Sequence, residues 1–114
     1  MRLLESKQNG NVLILKIFED ELNAVAAERF KKEANLYIEQ GHTQIVLDMT
    51  KVKFMDSSGL GALIFFCKKV KENGKIGVFG IGKMVFNLLK LTRTYKAFDL
   101  YRSEEEAVAA LSEL

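Results

Sequence analysis

The hydrophobic positions of this chain change period several times, and each change marks an element. Asn9-Gly10 lies between 3–7 and the apolar-rich 12–18 and is a two-residue hairpin signal because both positions tolerate positive φ. From 24 to 40 the period becomes helical: Ala27, Phe30, Ala34, Tyr37 and Ile38 recur at steps of three and four. Asn23 is placed to cap this helix and Gly41 to close it. The run 44–49, Gln-Ile-Val-Leu-Asp-Met, has the continuous apolar character of a strand covered on both faces. A second helix is expected over 57–72, with Leu60, Leu63, Ile64, Cys67 and Val70 inward and Asn73-Gly74 ending it.

Residues 76–81 read as another central strand, though Gly77 and Gly80 weaken it. A short helix over 83–91 buries Val85, Leu88 and Leu89, and a marginal strand covers 98–101. Ser103-Glu104-Glu105-Glu106 is a capping box opening a last helix that runs to Leu114. The order β-β-α-β-α-β-α-β-α predicts an α/β fold: a mainly parallel central sheet opened by a β-hairpin and packed by about four helices.

Composition narrows the function. At 114 residues, 1–114 is expected to be a single domain. The net charge of +2 is too small to predict nucleic-acid binding, and the lysines are interleaved with glutamates as on solvated helix faces. The longest nearly uninterrupted apolar stretch, 59–67, falls far short of the roughly 20 residues that span a bilayer, so no membrane role is expected. The start has no apolar segment of the signal-peptide kind, and the single cysteine, Cys67, rules out an internal disulfide. A cytoplasmic protein is expected.

One segment stands out for chemistry: Phe54-Met55-Asp56-Ser57-Ser58-Gly59-Leu60-Gly61, between a buried strand and an amphipathic helix. Its plain role is a cap, with Asp56 or Ser57 accepting one of the unpaired N–H groups of the first turn. The same place favours a phosphate, because free N–H groups and the positive end of the helix dipole attract anions. A phosphoryl group on Ser57 would add about −1.5 to −2 charges and change what that surface can dock.

The octapeptide resembles the phosphorylation motif of bacterial anti-sigma factor antagonists, members of the STAS domain family. The likeness continues through Glu21-Leu22-Asn23, the strand Ile45-Val46-Leu47-Asp48, Gly59 and Gly61, and the closing helix after Ser103. It implies a STAS-like sandwich and a partner-switching cycle. The unphosphorylated protein binds an anti-sigma factor that is also a serine kinase, so the sigma factor is freed. The kinase phosphorylates the serine after the aspartate, Ser57 here, and the complex separates; a serine phosphatase reverses the step. Ser58 ranks below Ser57. Docking is expected around Asn23, Asp56, Ser57, Ser58, Gly59, Leu60, Gly61 and Phe65, without a cofactor, since ATP belongs to the kinase.

Three positions depart from the family pattern. Asn23 stands where relatives often have Asp, Lys83 where many have proline, and Thr92-Arg93-Thr94 where Ser-Gly-Leu is more usual. The second reading is a STAS module that binds a small ligand or forms part of a larger sensory assembly.

Rival chemistries fit less well. Gly77-Val78-Phe79-Gly80-Ile81-Gly82-Lys83-Met84 has the spacing of a phosphate loop until Met84 replaces the Mg²⁺-binding Ser or Thr. Ser57 has no base nearby in sequence, since the only histidine, His42, is expected in the loop before the third strand; no enzyme activity is predicted. One His and one Cys make no zinc site of the usual types. Because the inward stripe of the second helix is already filled, at least one of Phe65 and Phe66 should face sideways or outward, either packing under the neighbouring helix or forming an apolar patch beside Ser57 that docks the partner. Polar substitution of both is expected to spare the fold.

Overall fold

The computed structural model describes residues 2–112. Strands β1 (Leu4–Asn9) and β2 (Val12–Ile17) form the opening antiparallel hairpin. Asn9 pairs with Val12, so the loop is Gly10-Asn11, one residue later than the dipeptide signal placed it. Gly10 has φ +61°, while Asn11 keeps a negative φ. Positive φ at the first central residue alone is the type II′ pattern, which a glycine there permits.

The chain continues through β3 (Glu21–Leu22), α1 (Ala24–Glu39), β4 (Gln44–Asp48), β5 (Phe54–Met55), α2 (Ser57–Lys71) and β6 (Lys75–Phe79). It ends with α3 (Lys83–Leu91), a single 3-10 turn (Tyr95–Ala97), β7 (Leu100–Tyr101) and α4 (Glu104–Ser112). The main sheet has the order β1-β2-β4-β6-β7, parallel at every pairing except the first. The expected strand at 76–81 is shorter: it stops at Phe79, because Gly80 turns the chain at φ +79° against Thr50. The last strand keeps only two of its four expected residues. The final two positions of the predicted last helix lie outside the described residues.

Alternation along β2, β4 and β6 splits the core into two layers. Leu13, Leu15, Ile17, Ile45, Leu47, Ile76 and Val78 face α1 and α2, while Val12, Ile14, Val46 and Phe79 face Ala107 and Leu111 of α4. Phe30 of α1 is fully buried and meets Phe66 of α2 edge-on, with ring centroids 5.4 Å apart. The Glu33 carboxylate accepts from the N–H groups of Leu3 and Leu4, each at 2.9 Å, which ties the first strand to α1.

The inward face of α2 differs from its expected stripe. Ala62 and Phe66 are buried and Ile64 only half-buried, because α2 packs against α1 as well as the sheet and so buries a wider arc. Gly77 is explained by packing. A Cβ there would lie 2.8 Å from the Tyr101 ring and 3.3 Å from Leu111, so α4 and β7 close over a bare backbone. The phosphate-loop spacing thus belongs to a strand and a turn.

Two helices end in the same way with different residues. In α1, Gly41 at φ +94° follows the last turn and His42 N–H donates back to Tyr37 O. In α3, Arg93 takes that place at φ +57°, with Thr94 N–H donating to Leu89 O at 2.9 Å and Arg93 N–H to Lys90 O at 3.1 Å. Both are Schellman closures, where glycine is the usual occupant of the left-handed position. An L-residue there costs roughly 1–2 kcal/mol.

The core assigns opposite roles to the two adjacent phenylalanines. Phe66→Ala should lose about 3–5 kcal/mol of unfolding free energy, whereas Phe65→Ala, at a ring 61% exposed, should change it by less than about 0.5 kcal/mol; urea unfolding of the two variants measures the difference. Burial pushes the Cys67 thiol up to about 12. Its labelling by a thiol reagent at neutral pH should therefore proceed at the rate of unfolding, and immediate labelling of the folded protein would contradict its placement.

Candidate partner-binding site

The site is built from two short strands that the hydrophobic pattern does not reveal. β3 and β5 pair in parallel, Glu21 with Phe54 and Leu22 with Met55. Asp20 O accepts from both Lys53 N–H, at 2.7 Å, and Phe54 N–H, at 3.1 Å. Each strand leads within two residues into a helix. The pairing therefore sets the start of α1 beside the start of α2.

Each start is capped by its own side chain. Asn23 Oδ1 accepts from Ala26 N–H at 3.0 Å. Asp56 Oδ1 accepts from Ser58 N–H at 2.9 Å and Gly59 N–H at 3.1 Å. Between Asp56 and Ser57, the capping role thus falls to the aspartate. The exposed Ser57 hydroxyl makes no hydrogen bond within the chain among the described residues.

Gly59 joins the two starts. A Cβ on it would overlap the Leu22 carbonyl oxygen and come within 3.0 Å of the Leu22 and Met55 side chains. Gly59 and Leu60 are buried, so these two expected docking residues present no surface; they support the turn from behind. Gly61 has open space around it. Ser58, Gly61 and Phe65, spaced by three and four, share an exposed helical face.

Phe65 is the outward ring of the pair, with Lys69 Nζ 5.9 Å from its centroid. Phe66 is core, which corrects the expectation that polar substitution of both rings would spare the fold. Between α1 and α2 lies an apolar groove of about 250 Å³, lined by Ile38, Ala62, Phe65, Phe66 and the stems of Lys31 and Lys69.

The geometry adds residues that sequence reasoning missed. Val25 in the first turn of α1 is 72% exposed and Phe54 in β5 is 49% exposed, so apolar side chains flank both caps. Their signal was faint: both fall outside the buried stripes, Phe54 opening the motif and Val25 following the Asn23 cap. A concavity of about 470 Å³ opens beside Asn23, lined also by Glu19, Asp20, Glu21, Val25 and Lys51. Lys51 pairs with Asp20 at 3.2 Å.

His42 lies at the opposite end of α2 from Ser57. Gly74, just beyond that helix, packs on Thr43, and Lys75 N–H donates to Thr43 O at 2.8 Å. No group of three or more potential metal ligands occurs among the described residues, and no helix there is long and apolar enough to cross a membrane.

A five-stranded, mostly parallel sheet with helices on both faces and two adjoining helix starts at one end defines a STAS-type α/β domain. The STAS domain family model matches residues 4–107, and the chain belongs to that family. It is 28% identical over 110 residues to the anti-sigma F factor antagonist of Paenibacillus polymyxa, covering 95% of this chain and 93% of that one. Among solved structures it is similar to an anti-sigma factor antagonist from Mycobacterium paratuberculosis, with TM-score 0.86, 22% identity and coverage of 96% and 93%. It also shares the fold of the Bacillus cell fate determinant SpoIIAA in its phosphorylated form, with TM-score 0.68, 20% identity and coverage of 94% and 97%.

The two motif glycines, Gly59 buried and Gly61 exposed, should respond oppositely to alanine. Gly59→Ala forces apart the joined helix starts and should destabilise by about 1–3 kcal/mol. Gly61→Ala, with open space, should stabilise by roughly 0.5–1 kcal/mol. Thermal unfolding of both variants distinguishes these signs.

Proposed function

We propose that this chain is an anti-sigma factor antagonist that works by partner switching, with Ser57 as the phosphoacceptor. The names of its relatives support the antagonist role. The observation that carries the switch is the division of labour at the start of α2: Asp56 holds the Ser58 and Gly59 N–H groups, and the Ser57 hydroxyl is exposed and uncommitted.

The docking face is the pair of helix starts, contributed by Asn23, Asp56, Ser57, Ser58 and Gly61, with Phe65 further along α2. Val25 and Phe54 supply apolar area around the polar centre. Gly61 has a use here, since a bare position on an exposed helix face lets a partner backbone approach closely. Within the unphosphorylated complex the serine hydroxyl is neutral and inexpensive to cover.

Phosphorylation changes that balance. The N–H groups of Ser58 and Gly59 that would cradle a phosphate already bind Asp56. The new dianion must displace that carboxylate or project into the docking face beside it. Covering the new phosphate charge beside the Asp56 carboxylate, which already holds two of the nearby donors, is strongly unfavourable, so the complex separates. The fold itself is untouched, because Ser57 makes no contact the core requires. The chain is then a substrate and a binding protein, not an enzyme. Its partners are an anti-sigma factor with serine kinase activity, which brings the ATP, and a serine phosphatase, all in the cytoplasm. One domain suffices for the cycle.

The apolar groove between α1 and α2 favours a second reading, a module that binds a small ligand. Absence of any kinase-dependent mass change, together with a tightly bound small molecule, would select it.

Incubation with the partner kinase and ATP, followed by mass spectrometry, should find one phosphate mapped to Ser57. Ser57→Ala should stay bound under those conditions and Ser57→Asp should bind poorly. Normal release of the alanine variant would contradict the switch.

A further inference from the structure

We propose a second docking site at the other end of the molecule: the basic concavity between the end of α3 and the following 3-10 turn, which takes an acidic segment of a partner protein. The concavity measures about 670 Å³ and is lined by Phe86, Lys90, Arg93, Tyr95 and Lys96. No acidic residue lines it, and none of the three cations has an ion-pair partner among the described residues. The groove between α1 and α2 is also lined by lysines, but there Lys31 is paired with Glu28.

Arg93 carries the argument furthest. It occupies the left-handed closing position of α3 at φ +57°, where α1 uses Gly41. The turn that holds it is rigid: Thr92 Oγ donates to Leu88 O at 2.7 Å and lies 2.8 Å from Thr94 Oγ. The arginine side chain contributes nothing to this closure, which the backbone makes unaided. A guanidinium held at an unfavourable backbone position, on a rigid turn, between two further cations, is suited to a carboxylate, which it can engage with two parallel hydrogen bonds.

The form of the site selects the kind of ligand. Every lining residue is exposed, so a small molecule would not gain the enclosure that such ligands need. Lys90 Nζ lies 5.7 Å over the Phe86 ring, so one face of that ring already holds a cation. A short extended segment with several carboxylates and one apolar anchor matches both features. Phe86 and Tyr95 supply the apolar contacts.

The basic concavity lies toward the end of α2 away from Ser57. The 3-10 turn and the residues after it adjoin the C-terminal end of α2, where Lys71 Nζ reaches Ala97 O at 3.5 Å and Asp99 Oδ2 at 3.9 Å. Ser57 begins that helix, about 21 Å from Lys71 along its axis.

The test is an amide-shift NMR titration with a synthetic Glu-Glu-Asp-Phe-Glu-Glu peptide at low and high salt. Shifts should centre on Phe86, Lys90, Arg93, Tyr95 and Lys96 and weaken with salt. Arg93→Gly should lower the affinity roughly tenfold or more while raising the melting temperature, because glycine relieves the left-handed position. Lys90→Glu with Lys96→Glu should also lose binding. Shifts centred elsewhere, no shifts at all, or undiminished binding by Arg93→Gly would overturn the proposal. So would Arg93-dependent sedimentation with phosphatidylglycerol vesicles while the peptide leaves the spectrum unchanged, which would make the site a lipid contact. Equivalent shifts on raising the protein concentration alone would make it a contact between copies.

Discussion

The approach of Gly59 to the Leu22 carbonyl is the contact on which the site depends. It lets the start of α2 lie against β3 with no side chain between them, and the two-residue pairing of β3 with β5 fixes the register. Two helix starts, 34 residues apart by position (Asn23 and Ser57), thereby become one surface. The main sheet supplies the stability, but this small sheet decides what faces a partner. Its cost is a glycine in the first turn of a helix, a place where the chain would otherwise gain from alanine.

The polar chemistry of that surface is separated between neighbours. Asp56 satisfies two of the backbone donors that every helix start leaves open, those of Ser58 and Gly59, so the adjacent serine hydroxyl has no structural duty. A modification at Ser57 can then act on binding with little effect on folding. The separation also removes the obvious cradle for a phosphate. In this account the new charge is exposed to the partner because the protein has already used its own means of absorbing it.

Much of this was legible in the sequence. The helical stripes of α1 and α3, the apolar run of β4 and the Asn23 and Gly41 caps were placed by periodicity and cap chemistry, because a single buried face leaves a clear imprint. The β3–β5 pair was not, since two residues per strand carry no period. The roles of Phe65 and Phe66 were left open because α2 packs against both the sheet and α1, and a stripe count assumes one neighbour. Gly77 weakened a strand that exists, its reason being the Tyr101 ring that packs over it from elsewhere in the chain. Arg93 was visible only as a departure from the family pattern; its left-handed backbone became apparent in the closure of α3.

The most direct measurement is the affinity of the partner kinase for this protein, by calorimetry, with Ser57 unmodified and then fully phosphorylated. The account predicts tight association of the first form and loss of measurable association for the second, with the two forms unfolding at similar temperatures. Equal affinity for both forms would contradict it.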